Sequence, residues 1–228
     1  MPTIWIVAGV LGIVAVLAVL AYALGFIPGG ASPSPSPSPA PSASPRPTFS
    51  LQPPSATPLA SPPAAPSGDG TTATIATDLG DIVIDLYTES APVASENFIN
   101  LAEAGFYDGV VFHRIVPGFV IQGGDPEGTG GGGPGYTIQD EPVVGQYGRA
   151  IVAMARTNAP NSQGSQFFIV VSDDARAALE RFRTYVIFGE VSAGMDVVDQ
   201  IVAGPRTGPD DDLAADPEAM TRVTIDRP

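Results

Sequence analysis

Few side chains in the 228-residue sequence could serve as nucleophiles, general bases or metal ligands. The chain has no cysteine and no lysine, and its one histidine is His113. These absences exclude thiol catalysis, Schiff-base or P-loop lysine chemistry, and a metal site built from several histidines. His113 lies beside Arg114, and we interpret it as a hydrogen-bonded structural histidine on the opposite face of a strand. The residue types therefore predict no cofactor.

Three other clusters contain polar or flexible residues whose spacing does not suit a site. The adjacent acids Asp140 and Glu141 are typical of surface or strand-end charges rather than of an acid and base pair. Three aspartates at 210–212 lack the spacing of a calcium-binding loop and indicate a solvated loop. The run 128–135 contains G-x-G-x-x-G without a lysine or a clear following helix, which indicates a flexible loop and not a phosphate site. We expect no metal.

The overall charge argues against nucleic acid as a partner. The formal net charge is −14 and the sequence pI is near 4.1. Phosphate binding needs clustered cations, and the ten arginines form no such cluster along the chain.

The amino-terminal segment predicts a membrane anchor over residues 1–28. Residues 4–27 carry no charge, and at ~1.5 Å per residue they would span roughly 36 Å. The alternative is a secretory signal, because Ala21-Tyr22-Ala23 resembles a cleavage site, although the apolar run is long and lacks basic residues before it. Only Arg46 follows nearby, so the orientation rests on the stalk and the acidic domain. These features favour a single-pass protein of the cell membrane with its domain outside the cytoplasm.

Two further segments follow the anchor. Residues 29–70 are dominated by Pro, Ser and Ala, with too few bulky apolar residues to form a core, which predicts a disordered linker. Residues 71–228 have the length and apolar content of one globular domain, which we expect to be monomeric.

The domain pattern predicts a mainly β fold. In TATIATDLGDIVIDLY, alternating residues flank a turn at Asp78-Leu79-Gly80, as in a β-hairpin. Ser90 is a candidate cap for a helix that Gly105 would end, and a second helix is predicted over residues 192–202. The many short apolar runs between these helices indicate a closed, antiparallel β-barrel of about eight strands with two flanking helices.

Two long blocks resemble the cyclophilin family of peptidyl-prolyl cis/trans isomerases, in a bacterial-like form. They are FYDGVVFHRIVPGFVIQGGDPEGTGGGGPGY at 106–136 and MARTNAPNSQGSQFFIV at 154–170. Together with GDIVIDLY, ENFINLAEAGFYDG and VIFGEV, the similarity covers nearly all of residues 71–228. It implies a cyclophilin-like barrel whose partners are proline-containing, unfolded or flexible polypeptides.

The implied chemistry needs neither a metal nor a covalent intermediate. The barrier to X-Pro rotation is roughly 18 to 20 kcal/mol because the imide bond has partial double-bond character. An apolar slot for the proline ring, with a donor aimed at the imide nitrogen, would lower it. By resemblance, Arg114 is that donor, Gln122 steadies it, and Phe119 is the third catalytic residue. The resemblance assigns peptide binding to Val120, Ala155, Arg156, Gln166, Phe168 and Tyr185.

The sequence departs from the family pattern in the pocket. Val120 stands where many relatives have methionine, and Tyr185 where eukaryotic members have histidine. The pocket tryptophan of many eukaryotic members is absent, and Leu179 or Phe182 is a candidate replacement. The resemblance thus implies proline binding with reduced affinity for cyclosporin.

Two other functions compete with an isomerase that assists folding. One is a binding module that recognises proline segments without useful turnover. The other is a stalk-and-head surface protein whose domain mainly holds a partner. The presence together of Arg114, Phe119, Gln122 and Phe168 favours the enzyme.

Overall fold

The computed structural model describes residues 65–228, and within them ten strands form one antiparallel sheet. The hydrogen-bonded order is β10-β1-β2-β7-β5-β6-β4-β3-β9-β8. The strands are β1 Thr72–Thr77, β2 Gly80–Leu86, β3 Arg114–Val116, β4 Val120–Gly123, β5 Ile151–Met154, β6 Phe167–Val170, β7 Ile187–Ala193, β8 Arg206–Thr207, β9 Leu213–Ala214 and β10 Arg222–Asp226.

The prediction of a mainly β, antiparallel domain is confirmed, but the predicted closed barrel of about eight strands is met only in part, because the sheet has ten strands and its two end strands do not pair. β8 and β10 lie at opposite ends of the hydrogen-bonded order, so hydrogen bonds do not close the sheet. The two additional strands are β8 and β9, which are two residues long each. Strands this short contain no measurable alternation of polar and apolar residues, so the sequence pattern gives no sign of them.

The predicted hairpin at the start of the domain is confirmed. β1 pairs with β2 in a register that joins Thr77 to Gly80 across the turn. Gly80 has a φ of +133°, which a residue with a Cβ rarely adopts, and the Thr77 hydroxyl donates to the Gly80 carbonyl at 2.8 Å. The Asp-Leu-Gly sequence therefore marks the turn because its glycine can adopt the positive φ that the turn requires.

Three α-helices accompany the sheet within residues 65–228, one more than predicted. The unpredicted α-helix follows a 3-10 helix at Asp173–Ala175. It has only seven residues, which is too short for an apolar periodicity to show in the sequence. The helices are α1 Pro92–Glu103, α2 Arg176–Phe182 and α3 Met195–Val202.

The start of α1 is capped from a distance and not by Ser90 as predicted. Ala91 occupies the N-cap position and supplies no side-chain hydrogen bond. Instead, the Glu141 carboxylate accepts from the backbone N–H groups of Val93 and Ala94, at 2.9 and 2.8 Å. A carboxylate placed there satisfies two donors that a helix leaves unpaired and also complements the helix dipole.

Two hydrophobic clusters occupy opposite faces of the central strands. Phe167 belongs to the larger cluster, which includes α1 and its Phe98, whereas Phe168 belongs to the smaller one. Ile121 and Val120 divide in the same way. Successive residues of a strand point to opposite faces, so one short sequence contributes to both clusters. The smaller cluster supports the candidate active site.

The amino-terminal predictions fall almost entirely outside the described residues. The anchor over residues 1–28 and most of the linker over residues 29–70 precede Ala65. No helix within residues 65–228 combines the length and hydropathy that a membrane span requires. The first described residues contact the domain, since the Ser67 carbonyl accepts from the backbone N–H groups of Glu89 and Ser90.

Candidate active site

Strand register places three of the predicted site residues in one row. Arg114 of β3 pairs with Gln122 of β4, and Gln122 pairs with Phe168 of β6. Phe119 lies in the turn between β3 and β4, where its backbone N–H donates to the Val116 carbonyl at 3.0 Å. The neighbouring FHR and GFVIQGG motifs therefore meet the distant SQFF motif at one point of the sheet.

These residues surround an apolar pocket of about 180 Å³. The sheet contributes Arg114 and Gln122 as the polar groups at one side of an otherwise hydrophobic lining. Phe168 is held by an edge-to-face contact with Tyr185, whose ring centroid lies 5.3 Å away. The full lining is Arg114, Phe119, Val120, Gln122, Phe168, Ala178, Leu179, Phe182 and Tyr185.

The helix α2 forms the wall of this pocket opposite the strands. Leu179 and Phe182, the two candidate replacements for the missing tryptophan, both line the pocket. Leu179 is buried in the smaller hydrophobic cluster. The wall is apolar, and neither side chain offers the N–H donor that an indole would supply.

The Arg114 guanidinium lies at the edge of the pocket and is held by a carboxylate from the carboxyl-terminal region. Its Nε donates to Asp212 Oδ2 at 2.8 Å, and the two side chains are 30% and 23% exposed. The prediction of a solvated loop at residues 210–212 is therefore wrong for Asp212. Sequence alone offers one weak clue, namely that a half-buried arginine needs a counter-charge, but not which acid supplies it.

Gln122 is fixed by a relay of amide hydrogen bonds. It is 4% exposed, and its Nε2 donates to Gln166 Oε1 at 2.9 Å. Gln166 Nε2 in turn donates to the carbonyls of Gly130 and Gly132, at 3.1 and 2.8 Å. The relay orients the Gln122 amide so that its Oε1, an acceptor, is directed away from Gln166.

A second cavity of about 440 Å³ adjoins the pocket through Gln166. One side is the glycine loop, residues 130–135, and the other is the segment that follows β5. Of the predicted peptide-binding residues, Ala155, Arg156 and Gln166 line this cavity, whereas Val120, Phe168 and Tyr185 line the apolar pocket. All the residues predicted for the site thus lie in two neighbouring cavities.

The Arg156 side chain binds neighbouring loops of its own chain. It is 11% exposed, forms an ion pair with Asp140 at 3.0 Å, and donates to the Ala159 carbonyl at 2.7 Å. Asp140 also accepts from the Asn161 backbone N–H at 2.9 Å. The predicted surface or strand-end acid is thus a structural anchor for the loop that borders the second cavity.

His113 is buried beneath the glycine loop and is 4% exposed. Neither ring nitrogen has a well-aligned hydrogen-bond partner among the described residues, although an interaction with the Val111 backbone acts to raise its pKa. Burial lowers the pKa of His113 below its ordinary value, an effect that nearby Asp125 opposes and Arg114 reinforces. The lowered pKa favours the neutral imidazole, and His113 is not among the residues that line the apolar pocket.

Asp125 organises the glycine loop from below. Its carboxylate accepts from the backbone N–H groups of Glu127, Thr129 and Gly130, at 2.8, 3.0 and 2.6 Å. Its composition predicts a flexible loop, yet these bonds and the two from Gln166 tie it to the domain. Its carbonyl groups are therefore fixed acceptors that complete the amide relay.

Comparison with known proteins agrees with this geometry. The family model for cyclophilin type peptidyl-prolyl cis-trans isomerase/CLD matches residues 72–226. A peptidyl-prolyl cis-trans isomerase of Arabidopsis thaliana is 40% identical over 157 residues, covering 67% of this chain and 94% of that protein. Peptidyl-prolyl cis-trans isomerase B of Streptomyces anulatus is 42% identical over 173 residues, covering 68% of this chain and 95% of that protein.

A solved structure shows the same fold. It is a cyclophilin type peptidyl-prolyl cis-trans isomerase of Cryptosporidium parvum, crystallised in the presence of the dipeptide Ala-Pro. The two chains are 32% identical, with a TM-score of 0.62, and the match covers 69% of this chain and 99% of that one. Because the similarity extends over the sheet, the apolar pocket and the loops around it, this chain belongs to the cyclophilin family of peptidyl-prolyl cis-trans isomerases.

Proposed function

We propose that this isomerase binds the proline of a flexible polypeptide in the 180 Å³ apolar pocket and uses Arg114 to assist rotation of the preceding bond. The observation that carries the proposal is the row formed by Arg114, Gln122 and Phe168, which sets a cation and an amide beside an aromatic slot. A proline ring is apolar and suits such a slot, whereas the peptide beside it needs polar groups.

The proposed chemistry follows from the change in the imide nitrogen during rotation. In the planar peptide its lone pair is delocalised into the carbonyl, so the nitrogen is a poor acceptor. As the bond twists, the lone pair becomes available, and a guanidinium N–H can donate to it. That hydrogen bond exists mainly in the transition state, so it lowers the barrier without tightening ground-state binding by the same amount.

The amide relay gives Gln122 a complementary role. Because Gln122 Nε2 is engaged by Gln166, its Oε1 is the group that can accept an N–H from the bound peptide. The second cavity, lined by Ala155 and the glycine loop, offers room for residues next to the proline. The Ala-Pro dipeptide present with the Cryptosporidium parvum relative supports a short, proline-containing ligand.

We further propose that the enzyme works at a membrane surface, outside the cytoplasm. Support comes from the uncharged residues 4–27 and the proline-rich segment that separates them from the domain. The test is to fractionate cells that express the full chain, wash the membranes with high salt, and add protease to intact cells. Release by salt, or a domain protected from external protease, contradicts this arrangement.

The catalytic proposal is tested by a protease-free isomerisation assay on an Ala-Pro peptide. The full chain in detergent should accelerate the exchange, and Arg114→Ala should remove most of the acceleration while leaving peptide affinity nearly unchanged. A wild-type chain that binds the peptide without accelerating exchange would establish the binding-module alternative.

A further inference from the structure

Asp212 is the only described residue that hydrogen-bonds the Arg114 side chain. The bond runs from Arg114 Nε to Asp212 Oδ2 at 2.8 Å, whereas Nη1 and Nη2 donate no hydrogen bond within residues 65–228. A carboxylate on Nε restricts rotation of the guanidinium about its stem and leaves both terminal nitrogens free to donate. This arrangement suits a group that must point at a substrate.

The backbone that carries Asp212 is tied directly to the strand that carries Arg114. The Ile115 N–H donates to the Asp212 carbonyl at 2.8 Å, and Arg114 pairs with Leu213 where β3 meets β9. Arg206 braces the preceding residue, with Nε donating to the Asp211 carbonyl at 3.2 Å. The carboxylate is therefore held in place before any peptide binds.

We propose that Asp212 is a positioning residue for isomerisation, acting through Arg114 by fixing the direction of its terminal N–H groups. The inference rests on the proposed function, in which Arg114 donates to the twisting imide. Both side chains are partly exposed, and an ion pair that solvent reaches adds little to stability. Removal of the carboxylate should consequently affect catalysis far more than folding.

The first experiment compares three variants of the full chain in detergent. Asp212→Ala removes the acceptor, Asp212→Asn keeps an oxygen that can accept from Nε, and Asp210→Ala makes the same truncation at an exposed neighbour. Asp210 is exposed and precedes the ion-paired Asp212 by two positions. Misplacement of a catalytic group by about 1 Å can cost on the order of 100-fold in rate.

The expected results separate positioning from structure. Asp212→Ala should lower kcat about 10- to 100-fold with KM, peptide affinity and Tm nearly unchanged. Asp212→Asn should recover most of that loss, and Asp210→Ala should match the wild type. Unchanged or faster turnover in Asp212→Ala, or an equal loss in the Asp210 control, overturns the inference.

A double-mutant cycle tests whether Asp212 acts through Arg114. In an Arg114→Ala background, adding Asp212→Ala should change the rate by less than twofold, because the group to be positioned is gone. A further loss comparable with that of the single variant contradicts action through Arg114. Full activity of Arg114→Ala would instead defeat the proposed catalytic role of Arg114 itself, so the two failures are distinguishable.

Discussion

Arg114→Lys conserves charge but should remove most of the isomerase activity. The guanidinium presents Nε to Asp212 at 2.8 Å and keeps Nη1 and Nη2 for the substrate. A lysine has one nitrogen at the end of a flexible stem, and the Asp212 carboxylate would attract it away from the imide. The substitution therefore exchanges an oriented pair of donors for a hydrated point charge.

The size of the effect follows from the number of donors lost. If the two terminal nitrogens donate to the imide nitrogen and to a neighbouring carbonyl, these two charged hydrogen bonds contribute about 1.5 to 3 kcal/mol each, or about 3 to 6 kcal/mol together. Since each ~1.4 kcal/mol corresponds to a tenfold change, the rate should fall by roughly two to four orders of magnitude. The donors act chiefly on the twisted bond, so kcat and kcat/KM should decline together.

The assay combines exchange spectroscopy on an Ala-Pro peptide with circular dichroism and peptide titration on the same samples. The folded spectrum and the peptide affinity of the lysine variant should match those of the wild type. Turnover within about threefold of the wild type would refute the directional argument, because charge alone would then suffice.

Three further outcomes are expected. The free energy of unfolding should fall by up to about 1.4 kcal/mol per pH unit as the pH drops below about 6.5. The reason is that the pKa of His113 is lower in the folded state than in the unfolded state, so the unfolded chain takes up the proton more readily. Urea melts at pH 7.5 and 5.5 should show this, and His113→Gln should flatten that part of the profile. Phe168→Ala should lower stability by about 3 kcal/mol in the same melts and weaken Ala-Pro binding measured by titration, since the ring is buried in the smaller cluster and lines the pocket. Cyclosporin should inhibit exchange more weakly than in relatives that have the pocket tryptophan, because Leu179 and Phe182 provide no N–H donor; tight stoichiometric inhibition would contradict this.

The parts of the fold that could be predicted are those whose structure is encoded by a local sequence pattern. The β1 to β2 hairpin follows from alternation and from a glycine at a positive φ, and α1 follows from its apolar face. The seven-residue α2 and the two-residue β8 and β9 are too short for any periodicity to appear. Their existence depends on tertiary contacts, which a local pattern does not contain.

The site residues likewise divide into those that family motifs mark and those that only tertiary contacts reveal. Family motifs mark Arg114, Gln122 and Phe168, and strand pairing brings them together as the resemblance implies. The partnership of Arg114 with Asp212 joins residues 98 positions apart, and no motif accompanies the aspartate. Likewise, Glu141 caps α1 from 48 positions away, where local rules favoured Ser90. The sequence pattern therefore missed the ion pair and the helix cap, because both join residues that only the folded structure brings together.

The adjacent acids Asp140 and Glu141 tie the border of the second cavity to a helix. Asp140 holds Arg156 and Asn161, while the next residue closes the first turn of α1. Opening this border would break the capping hydrogen bonds of Glu141 to α1, at a cost of about 0.5 to 2 kcal/mol in stability. The cap on α1 therefore resists local unfolding of the border. An arriving peptide then meets side chains whose rotational entropy was already lost on folding. The usual penalty of about 0.5 to 1.5 kcal/mol for each side chain ordered on binding is thereby avoided at these residues, so more of the contact energy would be available for binding.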